Sequence, residues 1–450
     1  EYAAMMIPPT GAPDSRPAVV RSIERPEPEV VARQPQESSQ LSDLKGGPLA
    51  VPGPQRSSQD LLRWRQDYES QLGLNTHALT LRTSALKKGG AEMLFRMYPL
   101  LFQQDLRGPY QALAQLLPEK GPQIALAGDC HLGNFGTLRN QNRDLVWSLN
   151  DYDQVGQGCP ESDLCRAGAS LLLLCHQRGW GKSVAGDLVE TLSHHYSKQI
   201  RQYCEVPPAR VLGIHKDEAQ EPIQALMKKA ERRTQEDLLS KWTEMSLQGE
   251  LKFNTGKDLH KLDGTQDQRL DDLLKEIRLP ATVKILDRCC RWDAGGSSLG
   301  LERYYLLVQK QGESLPTVLE LKQVLPCALA TSDADPNKCD PQLLQDGFKW
   351  LGAPKDNWQR VVRGDNGVYL MRERQRARDA LKTEELSSDE ARKLAKQLAR
   401  VLAQAHANGA SPSRLRDWID GREKQMGANL LKFSSCYAEQ VEQDYQALFK

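Results

Sequence analysis

The sequence predicts an α+β protein with two lobes, a small antiparallel β lobe and a larger helical lobe. Apolar residues recur with the helical period through much of residues 58–280 and again through residues 387–450, which we expect to complete the helical lobe. Residues 281–386 instead carry β-branched or alternating runs separated by glycine-containing turns. At 450 residues the chain is long enough to give each lobe a core.

The first segment of the chain lacks the side chains that a core needs. Residues 1–57 are rich in Pro, Ser, Gln and Glu, as in "RPEPEVVARQPQESSQ", and hold few large apolar residues. We expect a disordered arm there, which would suit the tethering of a protein partner. Because residue 1 is Glu rather than Met, the sequence is compatible with removal of an upstream targeting segment.

The predicted helical lobe begins with a capping signal and then alternates helices with two short strands. Ser57 and Asp60 have capping-box spacing ahead of an apolar stripe. After the helical segment "AEMLFRMYPLLFQQDL", the runs "QIALAG" and "DLVWSLN" end in turn-prone polar residues, as strands do. The segment "ESDLCRAGASLLLLC" then predicts a buried helix, and the charged residues 221–245 predict a helical region that is mostly solvated.

The predicted β lobe is an antiparallel meander. Its runs "TVKILDRCCRW", "LERYYLLVQK" and "TVLELKQV" are separated by "DAGGSSLG" and "QGESLP", and "GVYLMRER" is a candidate for a further strand. From Ser387 the chain returns to helix in "SSDEARKLAKQLARVLAQAHANG", which has a start signal and an Asn-Gly stop. The segment "SSCYAEQVEQDYQALFK" predicts a last helix.

The balance of charged residues gives no support to a nucleic acid or a membrane surface as partner. Lys and Arg number 60 against 59 Asp and Glu, so net charge does not favour a nucleic acid or an anionic membrane as partner.

The ten cysteines show no CxxC pair, which favours a reducing compartment and a cytoplasmic location. The longest apolar run, "AGASLLLLC", is too short to span a bilayer. The adjacent His194 and His195 lack a ligand cluster, so zinc is not expected.

The stretch "GDCHLGNFG" between the two predicted strands carries the first candidate site. Phosphoryl transfer needs a carboxylate at the acceptor hydroxyl and oxygen ligands for magnesium. Protein kinases supply these groups with an Asp, an Asn five residues later and another Asp after the next hairpin. Asp129, Asn134 and Asp151 stand in this order. We therefore predict that Asp129 is catalytic, that Asn134 and Asp151 are metal ligands, and that ATP and Mg²⁺ are the cofactors.

Several residues near this stretch allow more than one interpretation. An Asp and an Asn in a tight turn also cap local backbone, although the later "LNDYD" favours a site. Asp153 is either a second metal ligand or a polar residue at a strand end. His131 either bonds the loop or a phosphate, or takes part in acid–base catalysis. Asp163, at the start of the buried helix, is expected to support the loop rather than to touch substrate.

The glycine-rich turn "AGGSSLG" and a lysine on the third strand of the meander form the second candidate site. Such a turn lets backbone amides approach phosphates, and the lysine neutralises phosphate charge. We predict that the nucleotide is bound by these residues: Gly295, Gly296, Ser297, Ser298, Gly300 and Lys322. A plain hairpin turn is the alternative for the loop alone, since Ser297 stands where the kinase pattern has its middle glycine. No glutamate that would pair with Lys322 stands out in "DPQLLQDGFKWLG".

The order of the two sites is reversed relative to a protein kinase. There the β lobe precedes the catalytic loop, whereas here the glycine turn and Lys322 follow Asp129 and Asp151. The helix predicted in "KLAKQLARVLAQAHANG" also resembles the one that leads into the kinase catalytic loop. We therefore predict circularly permuted lobes, with Lys322 lying across a cleft from Asp151.

Seven segments together resemble one bacterial family. The segments are "GDCHLGNFG", "LNDYDQVG", "SDLCRAGAS", "GGSSLGLERY", "LELKQ", "LAQAHANG" and "YAEQVEQDY". They resemble domain-of-unknown-function family 2252 over residues 58–450. The resemblance implies a kinase-like, aminoglycoside-phosphotransferase-like fold, nucleotide chemistry and the site roles given above. Arg303 and Arg96 fall in similar segments, and Arg96 either serves the site or packs. Ala127 departs from the His common in related phosphotransferases.

Three functions are compatible with these residues. The first is an ATP- and Mg²⁺-dependent phosphotransferase acting on a hydroxyl of a small molecule or a protein. The second is transfer of AMP by the same site. The third is a nucleotide-binding scaffold or regulatory module, which Ser297 and the unassigned glutamate favour. The presence of Asp129 favours the first, since a binding module needs no catalytic-loop Asp.

Overall fold

Antiparallel sheets and helices make up the described part of the chain, which comprises residues 56–140, 142–256, 258–354 and 356–449 of a computed structural model. The α+β class is confirmed. The predicted arm lies outside these ranges except for its last two residues. Arg56 is buried there and pairs with Asp105 at 2.9 Å and Asp444 at 2.7 Å. It therefore links the start of the described chain to two distant helices.

The first helices are α1 (Ser58–Gln71), α2 (Thr76–Met97), α3 (Pro99–Arg107) and α4 (Gln111–Ala114). The predicted capping box is confirmed, because Ser57 Oγ accepts a hydrogen bond from the Asp60 N–H at 3.2 Å while the Asp60 carboxylate accepts one from the Ser57 N–H at 3.1 Å. Helix α2 is interrupted at Gly90, whose φ of +66° and ψ of −154° are not helical. The helix therefore consists of two straight halves.

Short strands surround the stretch "GDCHLGNFG". They are β1 (Ile124–Leu126), β2 (Phe135–Arg139), β3 (Leu145–Leu149) and β4 (Gly156–Gly158). The two predicted strands, β1 and β3, are present, but they do not pair with each other. Strand β3 pairs with β2 and β1 pairs with β4, all antiparallel. Sequence reasoning missed β2 because its residues, "FGTLR", do not alternate between apolar and polar.

The next elements are α5 (Glu161–Arg178), α6 (Lys182–Glu205), β5 (Ile214–His215), α7 (Ile223–Glu231), α8 (Gln235–Trp242), β6 (Thr243–Met245), β7 (Leu251–Phe253) and α9 (Gly264–Ile277). Helix α5 is buried along most of its length, as predicted. The charged residues 221–245 form two helices and a strand, in which α7 buries one apolar face and α8 buries Leu239. Most other residues of the region are exposed or half-buried, so the prediction of a mostly solvated helical region is confirmed.

The predicted meander is confirmed, and its three strands form one side of a five-stranded antiparallel sheet. Its strands are β8 (Val283–Cys290), β9 (Arg303–Lys310), β10 (Thr317–Val324), β11 (Arg360–Gly364) and β12 (Gly367–Glu373), in the order β11-β12-β10-β9-β8, with α10 (Pro341–Leu351) inserted before β11. Helix α9 packs on one face, while Leu239 and Phe253 pack on the other, beside Val318. Two segments that precede residue 281 therefore cover this sheet.

The chain ends with β13 (Asp379–Ala380), α11 (Ser388–Gly409), α12 (Pro412–Ile419) and α13 (Glu423–Phe449). Helix α11 packs along α6, and α13 packs against α5, so the helices after residue 387 share one apolar core with those of residues 161–205. The predicted helix from Ser387 is confirmed, and the last helix begins earlier than predicted. Within the described ranges, no helix combines the length and apolarity needed to cross a bilayer. All ten cysteines are free thiols.

Candidate functional site

The stretch from Gly128 to Asn134 is a tight loop between β1 and β2 whose first residues are hydrogen-bonded to helix α5. Gly128 has a φ of +80°, and a Cβ there would lie 1.9 Å from a carbonyl oxygen, so only glycine fits. Asp163, in the first turn of α5, accepts hydrogen bonds from the N–H groups of Ala127 and Gly128, both at 2.9 Å. His406 of α11 lies 3.2 Å from the same carboxylate. Asp163 thus supports the loop, as the sequence indicates.

Asp129 is buried and has two different oxygens. Its Oδ1 accepts hydrogen bonds from the Arg166 guanidinium, with the closest nitrogens at 2.8 Å. Its Oδ2 lies 3.3 Å from the Asn134 amide nitrogen and 3.5 Å from His131 Nε2. Burial raises the pKa of Asp129, although the charge of Arg166 opposes the rise. One oxygen is therefore fixed, while the other borders a cavity.

Arg166 is a residue of the candidate site that the sequence reasoning missed. It is fully buried in α5, donates a hydrogen bond to the Phe95 carbonyl oxygen at 2.8 Å and stands 3.7 Å above the centre of the Phe95 ring. The available signal was an arginine three residues after Asp163 in an otherwise apolar helix, because residues at this spacing share one face. The guanidinium holds Asp129 in one orientation.

Asn134, Asp151 and Asp153 line the cavity that Asp129 borders, which has a volume of about 30 Å³. One carboxylate oxygen of Asp151 and one of Asp153 are buried without a hydrogen-bond partner among the described residues. Orphaned carboxylate oxygens beside an amide oxygen are the donors that a hard cation prefers, so these residues fit Mg²⁺. In the described part of the chain, no group of three or more His, Cys, Asp or Glu is arranged to hold a metal. Magnesium here would take its other ligands from water and phosphate, as it usually does.

Lys322 of β10 reaches these carboxylates across 171 positions of sequence. Its Nζ donates a hydrogen bond to Asp151 Oδ2 at 2.8 Å and also contacts the Asp153 carboxylate. Burial opposes the charge on Asp151, but Lys322 and Arg372 outweigh it and lower its pKa. Burial and the neighbouring charge of Asp151 raise the pKa of Asp153. Lys322 thus forms ion pairs with both Asp151 and Asp153, and its charge favours the ionised form of each.

The glycine-rich turn joins β8 to β9 and closes the cavity from the side of the sheet. Its members Gly296, Ser297 and Ser298 line the cavity. Gly295 and Gly300 do not, but their φ angles of +109° and +87° shape the turn. The Ser298 hydroxyl also accepts a hydrogen bond from Arg303 at 3.2 Å. The structure therefore brings three of the five predicted loop residues to the cavity.

Helix α2 fastens this turn from outside. Arg82 is fully buried and donates hydrogen bonds to the carbonyl oxygens of Ser297 and Leu299, both at 3.0 Å. Gly300 packs so closely on α2 that a Cβ would lie 2.8 Å from the Cβ of Ala78. Sequence reasoning missed this contact because it joins residues more than 200 positions apart.

Arg96 and His131 complete the cavity wall. Arg96, near the end of α2, crosses over Gly133, where a Cβ would lie 2.9 Å from the guanidinium carbon. Its Nε is buried without a hydrogen-bond partner among the described residues, so Arg96 lies at the site rather than in a packed core. Burial, with the charges of Arg96 and Arg166, lowers the pKa of His131 well below its ordinary value. The imidazole is therefore neutral at pH 7.

The sheet face beside Lys322 is charged. Glu320, two residues earlier in β10, accepts hydrogen bonds from Arg303 at 2.9 Å and from Arg372 at 2.8 Å. Burial opposes its ionisation, but these two arginines outweigh burial and hold the pKa of Glu320 well below its ordinary value. A ligand entering beside Lys322 would therefore meet ions rather than an apolar surface.

The fold and site define an α+β protein with a cavity between the Gly128–Asn134 loop and a glycine-rich turn, lined by three aspartates, an asparagine, a histidine and an arginine. The chain belongs to the family described as "Uncharacterized protein conserved in bacteria (DUF2252)", whose model matches residues 78–450. The family expected from the sequence is thus confirmed, over residues 78–450 rather than 58–450. Searches of curated proteins and of solved structures gave no match.

Proposed function

We propose that this protein is an ATP- and Mg²⁺-dependent phosphotransferase with a kinase-like, circularly permuted fold, acting on a hydroxyl of a small molecule or a protein. The observation that carries the proposal is the 2.8 Å ion pair between Lys322 and Asp151, beside Asn134. Kinases gather a strand lysine, a catalytic-loop Asn and a metal-binding Asp around the nucleotide phosphates. The meeting of residues so distant in sequence supports a phosphate site at this point.

Each residue has a role in this proposal. Asp129 orients the acceptor hydroxyl through Oδ2 and takes its proton as the oxygen attacks the γ-phosphorus and ADP leaves. Arg166 positions Asp129 through Oδ1. Magnesium, held by Asn134, Asp151 and Asp153, neutralises phosphate charge when it is bound. The remaining phosphate oxygens are bound by Lys322, Arg96 and the amides of Gly296, Ser297 and Ser298.

The element order supports the fold part of the proposal. A glycine turn lies between the first two strands of the large sheet and Lys322 on the third, as in a kinase β lobe. The lobes would comprise residues 58–280, 281–386 and the completing 387–450. The segments α8 to β7 and α9 join the β lobe in packing, although they precede residue 281.

The volume of the cavity makes nucleotide entry a conformational step. Ligand pockets usually measure roughly 300–1,000 Å³, whereas this cavity has about 30 Å³. The glycine-rich turn must therefore move away from the catalytic-type loop before a nucleotide binds.

A second candidate is a nucleotide-binding regulatory module without turnover. Two contacts favour it. Lys322 pairs with aspartates of the site, whereas an active kinase pairs this lysine with a helix glutamate. Asp129 is also engaged by Arg166.

Calorimetric titration tests whether the site binds a nucleotide. The side chains beside Lys322 are charged and do not indicate which base is bound. ATP and GTP are therefore titrated in parallel, each with and without Mg²⁺. We expect Mg²⁺-dependent binding that Asp151→Ala abolishes and that Asp389→Ala, an exposed control on α11, leaves unchanged. No binding of either nucleotide to the unaltered protein would overturn the proposal.

Product analysis then separates the three functions. We expect Asp129→Asn to bind Mg²⁺–nucleotide normally and to lose about 10²–10⁴-fold in turnover, the usual contribution of a positioned acid or base. Mass spectrometry of acceptors distinguishes the gain of a phosphoryl group from the gain of AMP. Binding without transfer to any acceptor would favour the regulatory module.

A further inference from the structure

A second polar cavity, of about 170 Å³, lies where the start of α8 meets the segment that follows β12. It is several times larger than the cavity at the catalytic-type loop. Its wall carries five cationic side chains, namely Arg233, Lys241, Arg374, Arg376 and Arg378, and the acidic residue Asp237. The site described above uses none of these residues.

The carboxylates near this cavity are engaged elsewhere. Asp237 accepts the hydrogen bond of the Thr234 N–H at 2.8 Å and caps α8. Asp379, next in the chain after the arginine segment, pairs with Arg233. Neither carboxylate forms an ion pair with the three arginines after β12 within the described ranges.

Each of the three arginines after β12 has a guanidinium nitrogen that no hydrogen bond satisfies in the described part of the chain. The Nε atoms of Arg374, Arg376 and Arg378 are each buried without a hydrogen-bond partner among the described residues. Arg374 stands 5.5 Å from the centre of the Trp242 ring, which offers a weak cation–π contact. We name these three residues the arginine triplet.

Half-buried cations crowded together in this way are costly. A guanidinium keeps its proton in proteins, and buried charges are ordinarily paired. Burial and the nearby Arg372 lower the pKa of Arg378 to about 9, although the charge of Glu320 opposes this shift. The hydrogen bonds of Glu320 go to Arg303 and Arg372, so an anion in the cavity would supply the acceptors that the three arginines lack.

We propose that the arginine triplet binds the phosphate group of a small phosphate monoester. Planar guanidinium groups match phosphate oxygens in paired hydrogen bonds, which a single carboxylate would not satisfy for three arginines. The indole of Trp242 gives the cavity an apolar wall against which the carbon part of the ester packs. The proposal does not depend on phosphoryl transfer at Asp129, because it concerns binding alone.

Thermal unfolding at constant ionic strength tests the proposal, with inorganic phosphate and glycerol 3-phosphate as probes and chloride as the reference salt. A ligand that binds only the folded state raises the unfolding midpoint. We expect a rise of at least about 2 °C in the unaltered protein with either probe, and a larger one with the ester if Trp242 contacts it. Arg378→Met and Arg374→Gln should each abolish the rise. Arg392→Gln, which removes an exposed arginine paired with Asp187, is the control and should keep it.

A second readout separates a ligand site from a structural role. Because the Arg378 side chain makes no hydrogen bond among the described residues, Arg378→Met should unfold within about 2 °C of the unaltered protein when phosphate is absent. A marked fall would mean that Arg378 is bonded within the fold, and it would overturn the proposal. So would an unaltered protein without a phosphate effect, or an effect that survives in both triplet variants. Loss of the effect in Lys322→Met alone would assign the phosphate to the first cavity and equally overturn it.

Discussion

Asp163 is a buried side chain that fixes the backbone at the start of the Gly128–Asn134 loop. Its two oxygens accept the N–H groups of Ala127 and Gly128, and His406 lies against one of them. These bonds fix the backbone just before Asp129. The orientation of Asp129 thus depends on α5, which carries both Asp163 and Arg166.

We expect Asp163→Ala to lower the free energy of unfolding by about 3–5 kcal/mol. The substitution leaves two buried N–H groups without acceptors and removes the partner of His406. Urea unfolding followed by circular dichroism measures the loss. Asp389→Ala, on the surface, should change the free energy by less than about 0.5 kcal/mol. Equal stabilities of the two variants would show that the loop is held by other contacts.

Glu320 makes stability depend on pH. Its folded-state pKa is held below the unfolded value of about 4.3, so its contribution is present above that value and is lost as the pH falls through the folded pKa. We expect Glu320→Gln to be markedly less stable than the unaltered protein at pH 7, and the difference to shrink below about pH 4. Unfolding midpoints at both pH values measure it. Glu385→Gln, an exposed control, should show no such convergence.

The sequence predicted those site residues that belong to a short motif. Asp129, Asn134 and Asp151 have the spacing of a kinase-type motif, and the structure brings them to one cavity. Arg82 and Arg166 were not found, because a single buried arginine has no local pattern and its partners lie far along the chain. Their roles depend on tertiary contacts that periodicity does not encode.

The glycine-rich turn is an element whose conformation is set by another element. Arg82 of α2 binds two of its carbonyl oxygens, and Ala78 packs against Gly300. The turn is thus attached to a helix that comes more than 200 residues earlier in the chain.

We expect Arg82→Met to loosen the turn. Each lost hydrogen bond removes roughly 0.5–1.5 kcal/mol from the local opening free energy, so amide exchange in residues 295–300 should accelerate about tenfold or more. Hydrogen exchange read by mass spectrometry measures the change. Arg63→Met, an exposed arginine on α1, is the matched control. Unchanged exchange in residues 295–300 would contradict the attachment described above.

Among the elements, those with a strong period were predicted, whereas the strands of two residues were not. The strands of the meander and the helices at residues 161–178 and 388–409 follow from alternation or helical spacing. Strands β5 and β13 have two residues each, which is too short for any pattern. Their existence depends on pairing with β3 and β2, which the local sequence does not specify.

At the scale of the whole described chain, the largest core joins the helices after residue 387 to helices α5 and α6. Helices α11 and α13 pack against α6 and α5, although about 200 or more residues separate the partners. Leu402 of α11 is fully buried in this core. The helices after residue 387 are therefore integral to the helical part of the fold.

We expect Leu402→Ala to lower the free energy of unfolding by about 2–5 kcal/mol, as truncation of a buried leucine usually does. Denaturant unfolding followed by circular dichroism measures the effect. Leu62→Ala, which alters a leucine that is 41 % exposed on α1, should cost much less. Similar losses in both variants would contradict the central position of α11.

The interruption of α2 at Gly90 has a consequence for how the cavity could widen. Arg82 lies before Gly90 and binds the glycine-rich turn. Arg96 lies after Gly90, crosses the Gly128–Asn134 loop at Gly133 and also lies against the turn, where a Cβ on Gly296 would be 3.8 Å from the Arg96 Cβ. The turn is thus in contact with both halves of one helix, and the second half contacts both walls of the cavity. Any widening of the cavity would therefore have to rearrange contacts on both sides of Gly90, whose φ of +66° glycine adopts without a steric penalty.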